Sequence, residues 1–177
     1  LDSQLGRVLN EAEMSRITAL VDARIHTRKP AAYLTHEAWL GDYRFFVDER
    51  VIVPRSYIAE ILRTKMAAWV EAPERVRRAL DLCTGSGCLA ILLAITFARA
   101  TVDAADISRD ALDVAQRNVA DYDLARRVTL HASDLYSALG RRRYDVIVTN
   151  PPYVSDAVMH ALPPEYRNEP ALALAGG

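Results

Sequence analysis

The sequence predicts an α/β protein with a doubly wound parallel sheet. From about residue 75 onwards, four short apolar runs alternate with segments of helical periodicity. Strands that alternate with helices in this way favour a parallel sheet covered by helices on both faces. The predicted strands are 79–83, 101–105, 128–131 and 144–149, and the predicted helices are 88–98, a segment beginning near 109, and a short helix ending at 140.

Two of these helices have informative patterns. The segment 88–98 is almost wholly apolar, which predicts a buried helix. In the following helix, Leu112, Ala115, Val119 and Tyr122 share one face. Beyond Tyr153 the periodicity weakens, and we predict only a helical turn and then a loop to the end of the chain.

Upstream of the sheet, the sequence predicts a helix and a β-hairpin. Asn10 and Glu13 have the spacing of a capping box, and helical periodicity then continues to Lys29-Pro30. Aromatic and β-branched runs between His36 and Pro54, including residues 51–53, predict the hairpin.

A second helix follows the hairpin. Ser56 is placed to cap it, its apolar positions continue to Trp69, and Pro73 ends it. The predicted division is a helical segment at 1–35, a linking hairpin at 36–55 and the main α/β domain at 56–177.

Composition excludes several classes of protein. The net charge of −1 gives no basic field of the kind that attracts nucleic acid, and we expect no DNA partner. No apolar run reaches bilayer length, and we expect no membrane partner. The two cysteines and four scattered histidines predict neither disulfides nor a metal site, so a reducing cytoplasm is the expected location. The start, Leu1-Asp2-Ser3-Gln4, is no signal peptide and lacks Met, and we expect it to be trimmed.

A glycine turn, Thr84-Gly85-Ser86-Gly87, follows the first predicted strand. Its backbone can pass close to a ligand, and the next helix presents free N–H groups to it. It is neither a Walker loop nor a full dinucleotide fingerprint. A tight strand–helix connection therefore explains the turn equally well on its own.

Acidic residues follow the next two strands. Asp106 lies about 20 residues beyond the glycines, where an acid can accept hydrogen bonds from both ribose hydroxyls of a nucleoside cofactor. The start of a turn is the alternative interpretation. Asp134 is placed to border an adenine ring, although an isolated Asp at such a position is more often a helix cap.

The fourth strand leads directly into Asn150-Pro151-Pro152-Tyr153. The Asn amide offers an acceptor and two donors in one plane, two prolines stiffen the backbone, and an aromatic ring follows. This combination suits a small planar group that carries an amine or amide nitrogen. Open α/β sheets bind ligands at the carboxyl ends of their strands, so these stretches together predict a single site.

Taken together, the glycine turn, Asp106, Ser133-Asp134 and the 150–153 tetrapeptide resemble class I S-adenosylmethionine-dependent methyltransferases of the amino-methylating type, which have a Rossmann-like fold. Upstream, residues 30–34, 45–51 and 53–56 resemble the protein-glutamine methyltransferases of the HemK/PrmB group. Residues 82–88 and 162–170 favour its PrmB branch.

This resemblance implies S-adenosylmethionine as methyl donor, S-adenosylhomocysteine as product and no metal. The implied acceptor is the side-chain amide of a glutamine in large-subunit (50S) ribosomal protein number three. The sister branch modifies peptide-chain release factors and typically has Pro-Arg-Pro-Glu-Thr where this chain has Pro-Arg-Ser-Tyr-Ile at 54–58. The family's helical domain is longer and its sheet has seven strands, so we expect the last three strands to lie beyond residue 177.

The resemblance also implies residue roles. Asn150 and Pro151 are the expected catalytic pair, and Pro152 and Tyr153 complete the expected substrate slot. The expected cofactor contacts are Cys83, Thr84, Gly85, Ser86, Gly87, Asp106, Ile107, Asp134, Leu135, Asn150 and Arg55.

Two basic features have open interpretations. We expect Arg55 near the methionine carboxylate of the cofactor, with a surface ion pair as the alternative. Arg141, Arg142 and Arg143 are interpreted as a solvated turn, with ribosomal RNA contact as the alternative.

Two other functions remain open at this point. A nucleic-acid amino-group methyltransferase shares the Asn/Asp-Pro-Pro-Tyr slot, but it needs a basic stripe and aromatic platforms for an extruded base. A non-catalytic cofactor-binding domain would use the same fold.

Overall fold

The computed structural model describes residues 6–176, so the expected trimmed start at residues 1–4 lies outside the described residues. The first described elements are α1 (Glu11–Thr27), α2 (Ala31–Thr35), β1 (Ala38–Leu40), β2 (Tyr43–Phe45) and α3 (Ile58–Arg63). The capping box of α1 is confirmed. The Asn10 side chain accepts from the Glu13 N–H at 2.9 Å, and the Glu13 carboxylate accepts from the Asn10 N–H at 3.0 Å.

The hairpin is shorter than predicted. Strands β1 and β2 pair antiparallel around a turn at Gly41-Asp42. Residues 51–53 do not form a strand, so that part of the prediction is wrong. Val51 is instead buried, and its carbonyl accepts a hydrogen bond from the Tyr33 hydroxyl. β-Branched residues suit an extended buried segment as well as a strand, so the local pattern could not separate the two.

Helix α3 is also shorter than predicted. The N-cap of this helix is Tyr57 rather than the expected Ser56, and it makes no side-chain capping hydrogen bond. The Ser56 hydroxyl, one residue earlier, accepts from the Ile58 N–H at 3.2 Å. The helix ends at Arg63, because Lys65 and Met66 adopt left-handed backbone conformations with φ of 51° and 54°. Trp69 lies beyond it and is largely exposed.

A four-stranded parallel sheet follows, as predicted. The remaining elements are β3 (Arg78–Leu82), α4 (Cys88–Thr96), β4 (Thr101–Asp106), α5 (Arg109–Asp121), β5 (Val128–Ala132), β6 (Val146–Thr149) and α6 (Asp156–Met159). The strand order is β5-β4-β3-β6. The chain builds outwards from β3 to β5 and then crosses to the other side of β3, which makes the β3–β6 junction a topological switch point.

Helix α4 lies in the main hydrophobic core. Its first seven residues are all buried, as its apolar sequence predicted, and they pack with residues of β3, β4 and β6. On α5, the predicted face with Leu112, Ala115 and Val119 is buried.

The predicted helix ending at residue 140 is wrong. Residues 135–141 form consecutive turns. The Ser133 hydroxyl donates to the Leu135 carbonyl at 2.8 Å and accepts from the Ala138 N–H at 3.0 Å. These local hydrogen bonds satisfy backbone groups that a helix would otherwise pair.

The end of the chain is more ordered than the predicted loop. Residues Pro164–Asn168 and Ala171–Ala173 form short 3₁₀ helices. The chain then turns back, and Ala175 forms a parallel bridge with Val154. Within residues 6–176, no helix has both the length and the apolar character needed to cross a bilayer.

Asn118 joins the hairpin to the glycine turn. This side chain is 1% exposed, although it lies on an otherwise amphipathic helix. Its oxygen accepts from the Phe46 N–H at 2.8 Å, and its nitrogen donates to the Phe46 carbonyl at 3.0 Å and the Ser86 carbonyl at 2.8 Å. One buried amide therefore satisfies three backbone groups from two distant segments.

Replacing Asn118 with Ala should lower the free energy of unfolding by about 2–4 kcal/mol, because buried backbone groups lose their partners. Urea unfolding followed by circular dichroism measures this change. The exposed Gln116 on the same helix supplies the control, and Gln116→Ala should change stability by no more than about 0.5 kcal/mol. Equal stabilities of the two variants would contradict this role of Asn118.

Candidate active site

The register of the sheet brings four strand ends to one edge. Leu82 is aligned with Ala105 on one side and with Thr149 on the other, and Asp106 is aligned with Ala132. The Thr149 hydroxyl donates to the Leu82 carbonyl at 3.1 Å, which adds a side-chain hydrogen bond between β3 and β6. The residues that follow each strand therefore meet, as the sequence predicted.

A cleft of about 880 Å³, including the open space at its mouth, lies along this edge. Of the predicted site residues, the structure brings eight to its lining: Cys83, Gly85, Asp106, Ile107, Asp134, Leu135, Asn150 and Pro152.

The Asp106 carboxylate is held in a fixed orientation. One oxygen accepts from the Gly85 N–H at 2.8 Å, and the other accepts from the Ser108 N–H at 2.9 Å. Each carboxylate oxygen has a further lone pair, so the group can still accept hydrogen bonds from two hydroxyls of a ligand.

The glycine turn needs its glycines for two different reasons. Gly85 and Gly87 have φ of +53° and +77°, which side chains disfavour. A Cβ on Gly87 would also lie 3.0 Å from the Ala115 Cβ of α5. Gly85 therefore permits the turn, and Gly87 also permits close packing of α5 behind it.

The other residues of the turn lie behind the cleft rather than in its lining. Thr84 and Ser86 are buried, and their contacts are with Asp81 and Asn118. Thr84, Ser86 and Gly87 thus support the turn from behind.

Cys83 lines the cleft in a left-handed conformation with φ of 57°. Partial burial raises the pKa of its thiol, and the nearby Asp106 carboxylate acts in the same direction. The thiol is therefore protonated at neutral pH and contributes to the wall as a small apolar group.

The tetrapeptide after β6 is divided between the cleft and its mouth. Asn150 and Pro152 line the cleft, whereas Pro151 and Tyr153 are exposed. Tyr153 is 77% exposed, so its ring is free to contact a ligand that arrives from solvent.

The structure places Arg55 outside the cleft lining. Its guanidinium donates two hydrogen bonds of 2.8 Å to the Glu169 carboxylate and lies 5.2 Å from the centroid of the Tyr166 ring. The structure therefore contains an ion pair between Arg55 and Glu169, and an ion pair was the alternative interpretation of Arg55.

The arginines at 141–143 lie on an exposed turn, as expected. Arg142 lies 3.4 Å from the Asp103 carboxylate and 3.1 Å from the His131 ring nitrogen, so one of the three is engaged with the sheet.

Eleven of the lining residues were not assigned to the site from the sequence. Five of them belong to the predicted strands or to the segments that follow these strands: Leu82, Ala105, Ser108, Ala111 and Ser133. The other six are Arg50, Val51, Ile52, Pro170, Leu172 and Ala173. They come from the segment after the hairpin and from the segment that turns back after α6. Parts of both segments carry the resemblance to the HemK/PrmB group, but no strand-end pattern marks them as site residues.

Asp81 lies beneath the glycine turn and is fully buried. One of its oxygens accepts from the Thr84 hydroxyl at 2.6 Å, and the other has no hydrogen-bond partner among residues 6–176. Burial raises the pKa of Asp81 to about 7. A proton on this carboxyl therefore favours the folded state.

The protein has a parallel α/β sheet with a cleft at its switch point, an acid at the end of β4 and an amide after β6. This fold is that of class I methyltransferases. Residues 61–162 match the family model for the methyltransferase small domain. The match covers more than half of the chain, and the chain belongs to this family.

Two curated relatives are similar along nearly all of the chain. A ribosomal protein uL3 glutamine methyltransferase from Bordetella pertussis is 60% identical over 177 residues, which is 100% of this chain and 59% of that protein. A protein of the same name from Bradyrhizobium diazoefficiens is 54% identical, with coverage of 94% and 54%. The chain thus spans somewhat over half the length of these relatives.

Solved structures share the fold at low sequence identity. The catalytic domain of hMettl16, from human, in complex with MAT2A 3'UTR hairpin 6 has a TM-score of 0.55 and 18% identity, with coverage of 97% of this chain and 61% of that chain. A SAM-dependent methyltransferase from Agrobacterium tumefaciens has a TM-score of 0.51 and 23% identity, with coverage of 66% and 39%. These likenesses concern the fold alone.

The raised pKa of Asp81 predicts a specific pH dependence of stability. The unfolded-state pKa of an Asp is about 3.9, so between about pH 4 and 7 the folded state keeps a proton that the unfolded state releases. Stability is therefore lost as the pH rises through this window. The variant Asp81→Asn has no carboxyl group to titrate, so its stability does not fall in this way. Its free energy of unfolding relative to the wild type should therefore rise by on the order of 2–4 kcal/mol as the pH increases across the window.

Urea titrations at several pH values measure this difference. The control is Asp145, whose pKa is lowered because its carboxylate accepts from the Arg77 and Arg78 N–H groups. The Asp145 carboxylate stabilises the folded state at neutral pH, and this stabilisation is lost on acidification. The stability of Asp145→Asn relative to the wild type should therefore fall as the pH rises, opposite to that of Asp81→Asn. Parallel pH profiles for wild type and Asp81→Asn would refute the assignment.

Proposed function

We propose that this protein transfers a methyl group from S-adenosylmethionine to the side-chain amide nitrogen of a glutamine in ribosomal protein uL3. The observation that carries the proposal is the position of Asn150, directly after β6. Asn150 lines the same cleft as Asp106, which lies at the end of β4. The names of the curated relatives supply the acceptor. Ribosomal proteins are made in the cytoplasm, where we place the reaction.

The residues of the cleft fit this cofactor. The Asp106 carboxylate is oriented by two N–H groups and suits a ribose diol. Ile107 and Leu135 are partly exposed apolar side chains in the lining, and with Asp134 they suit an adenine ring and its amino group. When bound, the cofactor supplies an electrophilic sulfonium methyl group.

The acceptor nitrogen needs assistance, because its lone pair is delocalised into the amide carbonyl. In the proposed mechanism, the Asn150 side-chain oxygen and the Pro151 carbonyl accept hydrogen bonds from the two amide hydrogens. They orient the nitrogen and stabilise the positive charge that grows on it. Hydrogen bonds to charged groups contribute roughly 1.5–3 kcal/mol each, so the pair lowers the barrier by about 3–6 kcal/mol, or about two to four orders of magnitude in rate.

The rest of the slot positions the acceptor. Tyr153 is exposed beside Asn150 and can stack on the amide plane, while Pro152 lines the cleft and limits its width. Alignment with the methyl group supplies the other large contribution to rate. The proton leaves the nitrogen after transfer, so the reaction does not require a general base within the slot.

Replacing Asn150 with Ala should reduce glutamine methylation by at least about 100-fold, because an acceptor that acts in the transition state is lost. Affinity for S-adenosylhomocysteine should stay within about threefold, since that acceptor serves the substrate amide. Mass spectrometry of purified uL3 with isotope-labelled cofactor measures the first quantity, and calorimetry measures the second. Asn150→Asp retains a side-chain oxygen and should be more active than Asn150→Ala.

The same assay tests the acceptor. Release factors, RNA and DNA are offered in parallel with uL3. Methyl transfer to nucleic acid alone would refute the proposal, and transfer to release factors alone would reassign the substrate. Unchanged transfer by Asn150→Ala would remove this residue from the mechanism.

Replacing Asp106 with Ala should weaken S-adenosylhomocysteine binding by roughly 10–100-fold, which corresponds to the loss of one or two hydrogen bonds to a charged acceptor. Calorimetry measures the affinity. Asp113→Ala, at an exposed position on α5, is the control and should bind as the wild type does. Equal affinity of Asp106→Ala and wild type would exclude the ribose contact.

A further inference from the structure

One wall of the cleft is formed by residues 169–176, which we call the wall segment. Pro170, Leu172 and Ala173 of this segment line the cleft together with the residues at the strand ends. The wall segment contains a single short 3₁₀ helix, so its position depends on what holds its two ends.

The far end is attached directly to the tetrapeptide that carries Asn150. Val154 donates to the Leu174 carbonyl at 2.9 Å, and the Gly176 N–H donates back to the Val154 carbonyl at 2.9 Å. A Cβ on Gly176 would lie 2.8 Å from the Pro152 carbonyl oxygen, so this contact requires a glycine. The far end of the wall segment is therefore held against the tetrapeptide and the residue that follows it.

The near end is attached by Glu169. This side chain is 5% exposed and receives both hydrogen bonds from Arg55, each 2.8 Å long. Bidentate pairing fixes both the distance and the relative orientation of the two groups. Removal of Arg55 would leave a nearly buried carboxylate without its partner, which favours displacement of the segment towards water.

We propose that Arg55 and Glu169 form a positioning pair that sets the wall segment at the width needed for the cofactor. Arg55 then acts on binding through Glu169 and has no direct contact with the cofactor. This inference rests on the proposed function, because the cofactor is the group that the wall encloses.

The test uses calorimetric binding of S-adenosylhomocysteine to the purified protein. Glu169→Gln should weaken binding by about tenfold, because it removes the charge that holds Arg55 while keeping the shape of the side chain. If Arg55 instead contacted the cofactor carboxylate, Glu169→Gln would release Arg55 and leave binding equal or tighter.

Charge exchange separates the two models further. Arg55→Glu and Glu169→Arg should each weaken binding by more than about tenfold, and the double variant should recover to within about threefold of the wild type. A direct cofactor contact would leave the double variant weak, because Glu at position 55 repels a carboxylate.

The controls separate positioning from general destabilisation. Arg63 pairs with Glu60 on an exposed helix face, and Arg63→Ala should bind within about twofold of the wild type. Arg55→Lys keeps the charge without the bidentate geometry, so it serves as the folded variant if the charge reversals do not fold, and it should weaken binding by about threefold.

The outcomes distinguish this inference from the proposed function. If the wild-type protein binds S-adenosylhomocysteine and both Glu169→Gln and Arg55→Lys bind it equally well, the positioning role alone is overturned. Absence of binding by the wild-type protein would overturn both.

Discussion

The parallel alignment of β3 with both of its neighbours is the constraint on which the site depends. Leu82 is aligned with Ala105 and with Thr149, so the chain leaves β3, β4 and β6 at the same level. A shift by one residue in the β3–β4 pairing would separate the Gly85 N–H from the Asp106 carboxylate, which are 2.8 Å apart. A shift in the β3–β6 pairing would move Asn150 relative to both. The register of the sheet therefore also sets the geometry of the candidate site.

This dependence explains why the sequence predicted so much of the sheet and of the strand-end residues. Each strand is a short apolar run, and Asp106, Asp134 and Asn150 lie at or just after the end of one, so local pattern and topology were sufficient to group these three. The resemblance supplied the other candidate residues. Thr84, Ser86 and Gly87 belong to the same turn as Gly85, yet they do not line the cleft, and their expected cofactor contacts stay predictions. Proximity along the chain does not determine on which side of a turn a residue lies.

What the sequence did not predict depends on contacts between distant segments. The buried amide of Asn118 lies on a helix where local pattern suggests a surface residue, and its partners, Phe46 and Ser86, are 72 and 32 positions away. Residues 51–53 and 169–176 gain their order in the same way, from Tyr33 and from Val154. Periodicity indicates which face of a segment is buried. It does not indicate which distant backbone groups the segment contacts.

The two walls of the cleft therefore have different physical origins, and the difference bears on specificity. The strand-end wall carries Asn150 and Asp106, and the hydrogen bonding that we propose for Asn150 would serve an amide or a base amino group equally well. Choice of acceptor must then depend on the groups at the mouth, where Pro151 and Tyr153 are exposed and the wall segment meets the tetrapeptide through Gly176. The wall segment is held by distant contacts rather than by the sheet, so this part of the mouth can change in evolution while the strand-end wall stays the same.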